Sequence, residues 1–76
     1  MTVEQLRRTH RAQPFEPFTL CLADGRQLPV NHPEFLALSP TGRTISVAQS
    51  DGAFNIVDLL LVTSIHVGNG QKSSPE

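Results

Sequence analysis

The sequence predicts a mainly β fold, in which a short N-terminal helix is followed by a five-stranded antiparallel meander. Three observations carry that reading. From Phe18 onward apolar side chains recur with a period of two. Turn signals punctuate the same stretch at short intervals, at Asp24-Gly25, Ser39-Pro40-Thr41-Gly42 and Asp51-Gly52. Ahead of them Thr2 and Gln5 stand at capping-box spacing, at the start of a segment that Pro14 closes. The chain has 76 residues, 38% of them hydrophobic and 17% charged. A chain of that length can bury roughly 60% of its extended surface, enough for one small core and one domain. That domain is expected over residues 1–67.

The helix is expected over residues 3–12. Glu4 sits in its first turn, where the helix macrodipole favours a negative charge, and lies one turn before Arg8. The apolar stripe is thin, with only Val3, Leu6 and His10, so the helix must dock on the rest of the domain to be stable. The strands are expected within residues 18–67. In the first, Phe18, Leu20 and Leu22 share one face. Asp24-Gly25 reads as a two-residue hairpin loop, after which Leu28 and Val30 share a face of the returning strand. Pro29 cannot donate a ladder bond, which confines that strand to an edge or a bulge. Asn31-His32-Pro33 then turns the chain into residues 35–38, as a short buried strand or one helical turn followed by a strand.

Ser39-Pro40-Thr41-Gly42 has the residues that a type I turn prefers. It leads into a strand over residues 43–49 with Ile45 and Val47 inward. Asp51-Gly52 turns the chain again, and residues 53–57 return with Phe54 and Ile56 inward. On this reading Phe54 is core, and truncating it to Ala is expected to cost about 3 to 5 kcal/mol. Asp58 caps a 3₁₀ turn at Leu59-Leu60 before a last strand over residues 61–67. Residues 68–76 contain no apolar side chain and are expected to form a disordered tail.

A helix, about five short strands and a 3₁₀ turn before the last is an order that resembles SH3-like and Sm-like small barrels, whose bent sheet buries its own inner face. Several motifs also resemble a family of short bacterial proteins of unknown function. They are Pro14-Phe15-Glu16-Pro17-Phe18, Leu22-Ala23-Asp24-Gly25-Arg26, His32-Pro33-Glu34-Phe35-Leu36, Ser39-Pro40 with Gly42-Arg43-Thr44, and Asp58-Leu59-Leu60-Leu61-Val62. The resemblance covers most of residues 4–67 and implies no activity, ligand or residue role.

The residues that could carry chemistry are scattered. His10, Cys21, His32 and His66 are isolated from one another, without the paired spacing that presents two metal ligands on one turn. Cys21 is the single cysteine and sits mid-strand, away from any helix N-terminus that would activate it, so it reads as a packed thiol. Asp24, Asp51 and Asp58 are accounted for by the turns they open. There is no Gly-rich phosphate loop and no nucleophile elbow. The sequence therefore predicts a protein that is not an enzyme, with no catalytic residue, no metal and no cofactor. The start has no apolar leader and the longest apolar run, residues 59–62, is far too short to span a bilayer, so a cytoplasmic location away from membranes is expected.

Partner binding is the remaining class. The net charge is −1, which disfavours general nucleic-acid binding, but residues 1–13 hold Arg7, Arg8 and Arg11 against Glu4 alone. These arginines fall on one side of the helix and form one candidate partner-binding surface. His32 and Glu34, beside Phe35, form a candidate recognition loop. The strongest signal is the run over residues 54–67, which loads both faces of the final elements with apolar side chains, more than one side of so small a domain can bury. The leading expectation is a self-associating protein-interaction module, a homo-oligomer with room for another protein partner. The alternative is an Sm-like RNA-binding protein that uses the arginine face.

Overall fold

A computed structural model describes residues 2–68. The helix α1 spans Val3–His10 and is followed by β1 (Phe18–Leu22), β2 (Gln27–Val30), a 3₁₀ turn (Pro33–Phe35), β3 (Leu36–Leu38), β4 (Thr44–Ala48), β5 (Phe54–Asp58), a second 3₁₀ turn (Leu59–Leu61) and β6 (Val62–Val67). The mainly β class stands, with six strands in place of five. The chain splits at the Pro33–Phe35 turn, so that β2 and β3 are separate strands in separate sheets. Both sheets are antiparallel and three-stranded, in the orders β2-β1-β6 and β3-β4-β5. No ladder joins them among the described residues, so the expected continuous meander is broken and the closed small barrel is not formed by strand pairing.

The path repeats itself. Each half runs strand, Asp-Gly loop, strand, 3₁₀ turn, strand, and the third strand of each half pairs with the first strand of the other: β3 with β4, and β6 with β1. The two Asp-Gly loops match bond for bond. Gly25 donates to the Leu22 carbonyl and Leu22 to the Arg26 carbonyl, while Gly52 donates to Gln49 and Gln49 to Ala53. Gly25 and Gly52 have φ of 93° and 92° and each closes a three-residue loop, in place of the two-residue loop expected at Asp24-Gly25. In each, the aspartate accepts from the residue after the glycine, Arg26 N–H to Asp24 and Ala53 N–H to Asp51.

The helix forms with its capping box intact, Gln5 N–H donating to Thr2 Oγ1 and Thr2 N–H to Gln5 Oε1. It ends at His10, two residues before the expected boundary, because Arg11 has left helical backbone geometry. Leu6 is completely buried and Val3 packs on the core. Val3 docks directly on Gly42, where a Cβ would stand 2.8 Å from Val3 Cγ2 on a backbone of φ 75°. His10 Nε2–H donates to the Pro33 carbonyl at 2.7 Å and pins the C-terminal end of the helix to the first 3₁₀ turn.

The core is assembled from Leu6, Phe18, Leu20, Leu22, Leu28, Val30, Leu36, Ile45, Val47, Val57, Leu59 and Val62. In β5 the expected face is inverted. Phe54 and Ile56 point outward, 71% and 74% exposed, and Val57 is the buried residue. The register explains this. Ile45 and Val47 of β4 lie opposite Val57 and Asn55, and directly paired residues share a face. Since Ile45 and Val47 take the inside, Val57 and Asn55 go with them and Phe54 and Ile56 are turned out. Gly68 N–H donates to Pro17 and prolongs the β1–β6 ladder; the rest of the expected tail, residues 69–76, lies outside the described residues.

Candidate functional site

Among the described residues the large exposed hydrophobic side chains are Phe54, Ile56, Leu60, Leu61 and Val67, all of them on β5, the second 3₁₀ turn and β6. Asp58 organises the middle of this stretch. Its carboxylate accepts from Leu60 N–H at 2.9 Å and starts the 3₁₀ turn, which sends Leu59 into the core and leaves Leu60 outside. On the outer face of the β3-β4-β5 sheet, Phe54 and Ile56 stand opposite the small residues Ala48 and Ser46. Ile56 therefore borders an open hollow of about 280 Å³ whose floor is Ala37, Ser46 and the Thr44 end of β4. Alternation along the strand alone predicts Phe54 and Ile56 in the core; the register counted from the Asp51-Gly52 loop places them outside.

The arginines come together as expected. Arg7, Arg8 and Arg11, with Glu4, line a shallow depression of about 350 Å³ on the outward side of α1. Glu4 makes no ion pair with Arg8; the ion pair among the described residues joins Arg26 Nε to Asp24 at 2.9 Å, in the first hairpin loop. The Arg26 backbone N–H, and then the Arg26 guanidinium, hold the Asp24 carboxyl below its ordinary range.

His32 and Glu34 are both exposed. His32 precedes the first 3₁₀ turn without capping it by its side chain, and its ring meets Phe35 edge-on at 5.2 Å. Glu34 lies in the turn itself. The His10 bond to Pro33 brings this loop against the C-terminal end of α1, while the depression lined by the arginines includes neither His32 nor Glu34. Cys21 is half-buried, and with Thr19, Gln27 and His66 it lines a recess of about 70 Å³ on the outer face of the other sheet.

Among the described residues no three His, Cys, Asp or Glu side chains are grouped to hold a metal ion, and no helix is long and apolar enough to cross a membrane. No family model, curated protein or solved structure matches the chain. The functional reading therefore rests on the exposed surface.

Proposed function

We propose that the chain is a non-enzymatic, self-associating interaction module that works through the exposed side of β5 and the second 3₁₀ turn. The observation that carries this is the outward placement of Phe54, Ile56 and Leu60, each about three-quarters exposed, on one continuous stretch of chain. Side chains of this size left in water are a standing cost that association removes, at about 25 cal/mol for each Å² covered. The finer fold reading goes with it. A helix comes first, one 3₁₀ turn lets β2 pass into β3, and a second precedes the strand that returns to β1. That path supports an SH3-like or Sm-like small barrel whose two sheets are left open at the seam.

The test is the solution mass at micromolar concentration. Sedimentation or light scattering is expected to give a multiple of the 8.3 kDa chain, and raised salt is expected to leave it intact because the contact is apolar. A single-chain mass at every concentration would contradict the proposal.

A second reading draws on the arginine depression, where Arg7, Arg8 and Arg11 converge with one acid between them. It takes the protein as an RNA binder whose phosphate contacts lie on α1, with Phe54 as an exposed aromatic for base stacking. Replacing the three arginines by Gln is expected to abolish RNA binding while folding survives. Undiminished binding by that variant, or none by the unaltered chain at low salt, removes this reading.

A further inference from the structure

Two three-stranded sheets have four edges, and an open edge is a template for pairing with another chain. The register shows how each edge is handled. In β2, Leu28 and Val30 bond inward to β1, so the outward backbone positions belong to Gln27 and Pro29. Pro29 has no N–H to offer. β3 is three residues long. β6 is kinked where Cys21 pairs with Ser64 and Leu22 with Val62, which leaves Thr63 as a bulge whose hydroxyl is turned back onto the Cys21 carbonyl. Proline, shortness and a bulge are recognised devices against edge pairing.

β5 carries none of them. It is five residues long, regular, without Pro, Gly or Lys. The bonds from Gln49 to Ala53 and from Leu59 to Arg43 fix which residues face β4, namely Ala53, Asn55, Val57 and Leu59. The N–H and C=O groups of Phe54, Ile56 and Asp58 therefore point out of the sheet edge. Phe54 and Ile56 also bear exposed apolar side chains on the outer sheet face, so one edge contact would pair the backbone and bring those side chains alongside a second set.

We infer that two copies of the chain join through β5, edge to edge and antiparallel, about a two-fold axis at Ile56, so that β3-β4-β5 continues into β5-β4-β3 of the second copy. The inference rests on the self-association proposed above and adds its strand, symmetry and register. A second copy is the occupant that the surface itself fits. Paired edge to edge, the outward N–H and C=O groups of Phe54, Ile56 and Asp58 meet those of the same three residues of the second copy, and the exposed Phe54 and Ile56 side chains of both copies come side by side on one sheet face, where each covers part of the other's apolar flank. Charge fixes the register. Residues 52–57 are uncharged and Asp51 and Asp58 flank them. With Ile56 opposite its own copy, Phe54 faces the second copy's Asp58 and the acids stay about 10 Å or more apart, near one Debye length. A slide of two residues in either direction sets Asp58 beside the second copy's Asp51 or diagonal to its Asp58. An isologous pairing closes at two chains.

The experiment uses single cysteines in a Cys21→Ser background, after the mass of the unaltered chain is known. Ile56→Cys places two thiols on one face of a directly opposed pair, about 5.5 Å apart at Cα and within disulfide reach. Phe54→Cys places them about 14 Å apart, out of reach. Under mild oxidation Ile56→Cys is expected to cross-link into dimers at least ten-fold faster than Phe54→Cys or Val67→Cys. Ile56→Lys, an exposed change that spares the core, is expected to weaken the dimer at least ten-fold by opposing two like charges. If the unaltered chain has the mass of one chain, self-association and this inference both fail. An assembly of two chains that cross-links at Phe54 or Val67 instead, that ignores Ile56→Lys, or any assembly of three or more chains, overturns the β5 two-fold and leaves self-association standing.

Discussion

The two hairpins of this domain share a loop and differ in what they do with their strands. Both turn through Asp-Gly with the same three hydrogen bonds and the same positive φ. In the first, Phe18, Leu20 and Leu22 of β1 and Leu28 and Val30 of β2 all enter the core. In the second, the matching inward positions are Ile45, Val47 and Gln49, then Asn55 and Val57. Polar side chains stand where the first hairpin has Leu22 and Leu28, and the large apolar residues Phe54 and Ile56 are on the outside. The first returning strand also has Pro29 on its outer edge, whereas the second has an unbroken one. One hairpin is spent on the core, and the other divides its apolar residues between the core and an open surface.

Truncation should separate the two most sharply. Leu20→Ala, at a completely buried position of the central strand, is expected to cost about 2 to 5 kcal/mol, read from the denaturant midpoint. That is a large part of the stability of so small a domain. The next effect has the opposite sign. Gln49 Nε2 is buried without a hydrogen-bond partner, so Gln49→Leu, which copies Leu22 into the second hairpin, is expected to raise stability by about 1 kcal/mol. Loss of stability in that variant would mean that the two hairpins are not equivalent at this position.

Phe54→Ala removes a larger side chain than Leu20→Ala, yet at concentrations too low for association it is expected to shift stability by less than about 0.5 kcal/mol. A loss matching that of Leu20→Ala would put Phe54 back in the core. The smallest effect concerns the loops. Asp24 has a lowered carboxyl pKa and a guanidinium partner, while Asp51 has only its backbone bond. A carboxyl lowered on folding stabilises above its unfolded value of about 3.9 and loses that contribution as pH falls through the folded value. Asp24→Asn should therefore flatten the acid limb of the stability profile below about pH 4. An acid limb left unchanged by Asp24→Asn would show that Arg26 contributes nothing through this carboxylate.

The same contrast marks how much was legible in the sequence. The capping box, the turn positions, the edge placement of Pro29, the Asp58 cap and the inward faces of β1, β2 and β4 follow from local rules of spacing and residue type, and the structure has each of them. The face of β5 does not. Read alone, alternating Phe54 and Ile56 look like the buried side of a strand, because hydrophobicity is the local signal. Their orientation is set by the loop and by β4, through a register that a run of five residues does not contain. The exchange of third strands between the halves is equally nonlocal, and it turned an expected five-stranded meander into two sheets. The arginine face is legible because a helix period is local; the apolar surface is legible as an excess over residues 54–67, but strand alternation read alone turns Phe54 and Ile56 to the wrong face.

The most direct test of the account is amide hydrogen exchange along β5 as a function of protein concentration. Asn55 and Val57 donate to β4 and should be protected at every concentration, whereas Phe54 and Ile56 point out of the edge and should exchange freely in dilute protein. As concentration rises, the amides of Phe54 and Ile56 should gain protection together with the appearance of the dimer. Protection of Phe54 and Ile56 that is already complete in dilute protein, or that never develops while the chains associate, would contradict the open edge.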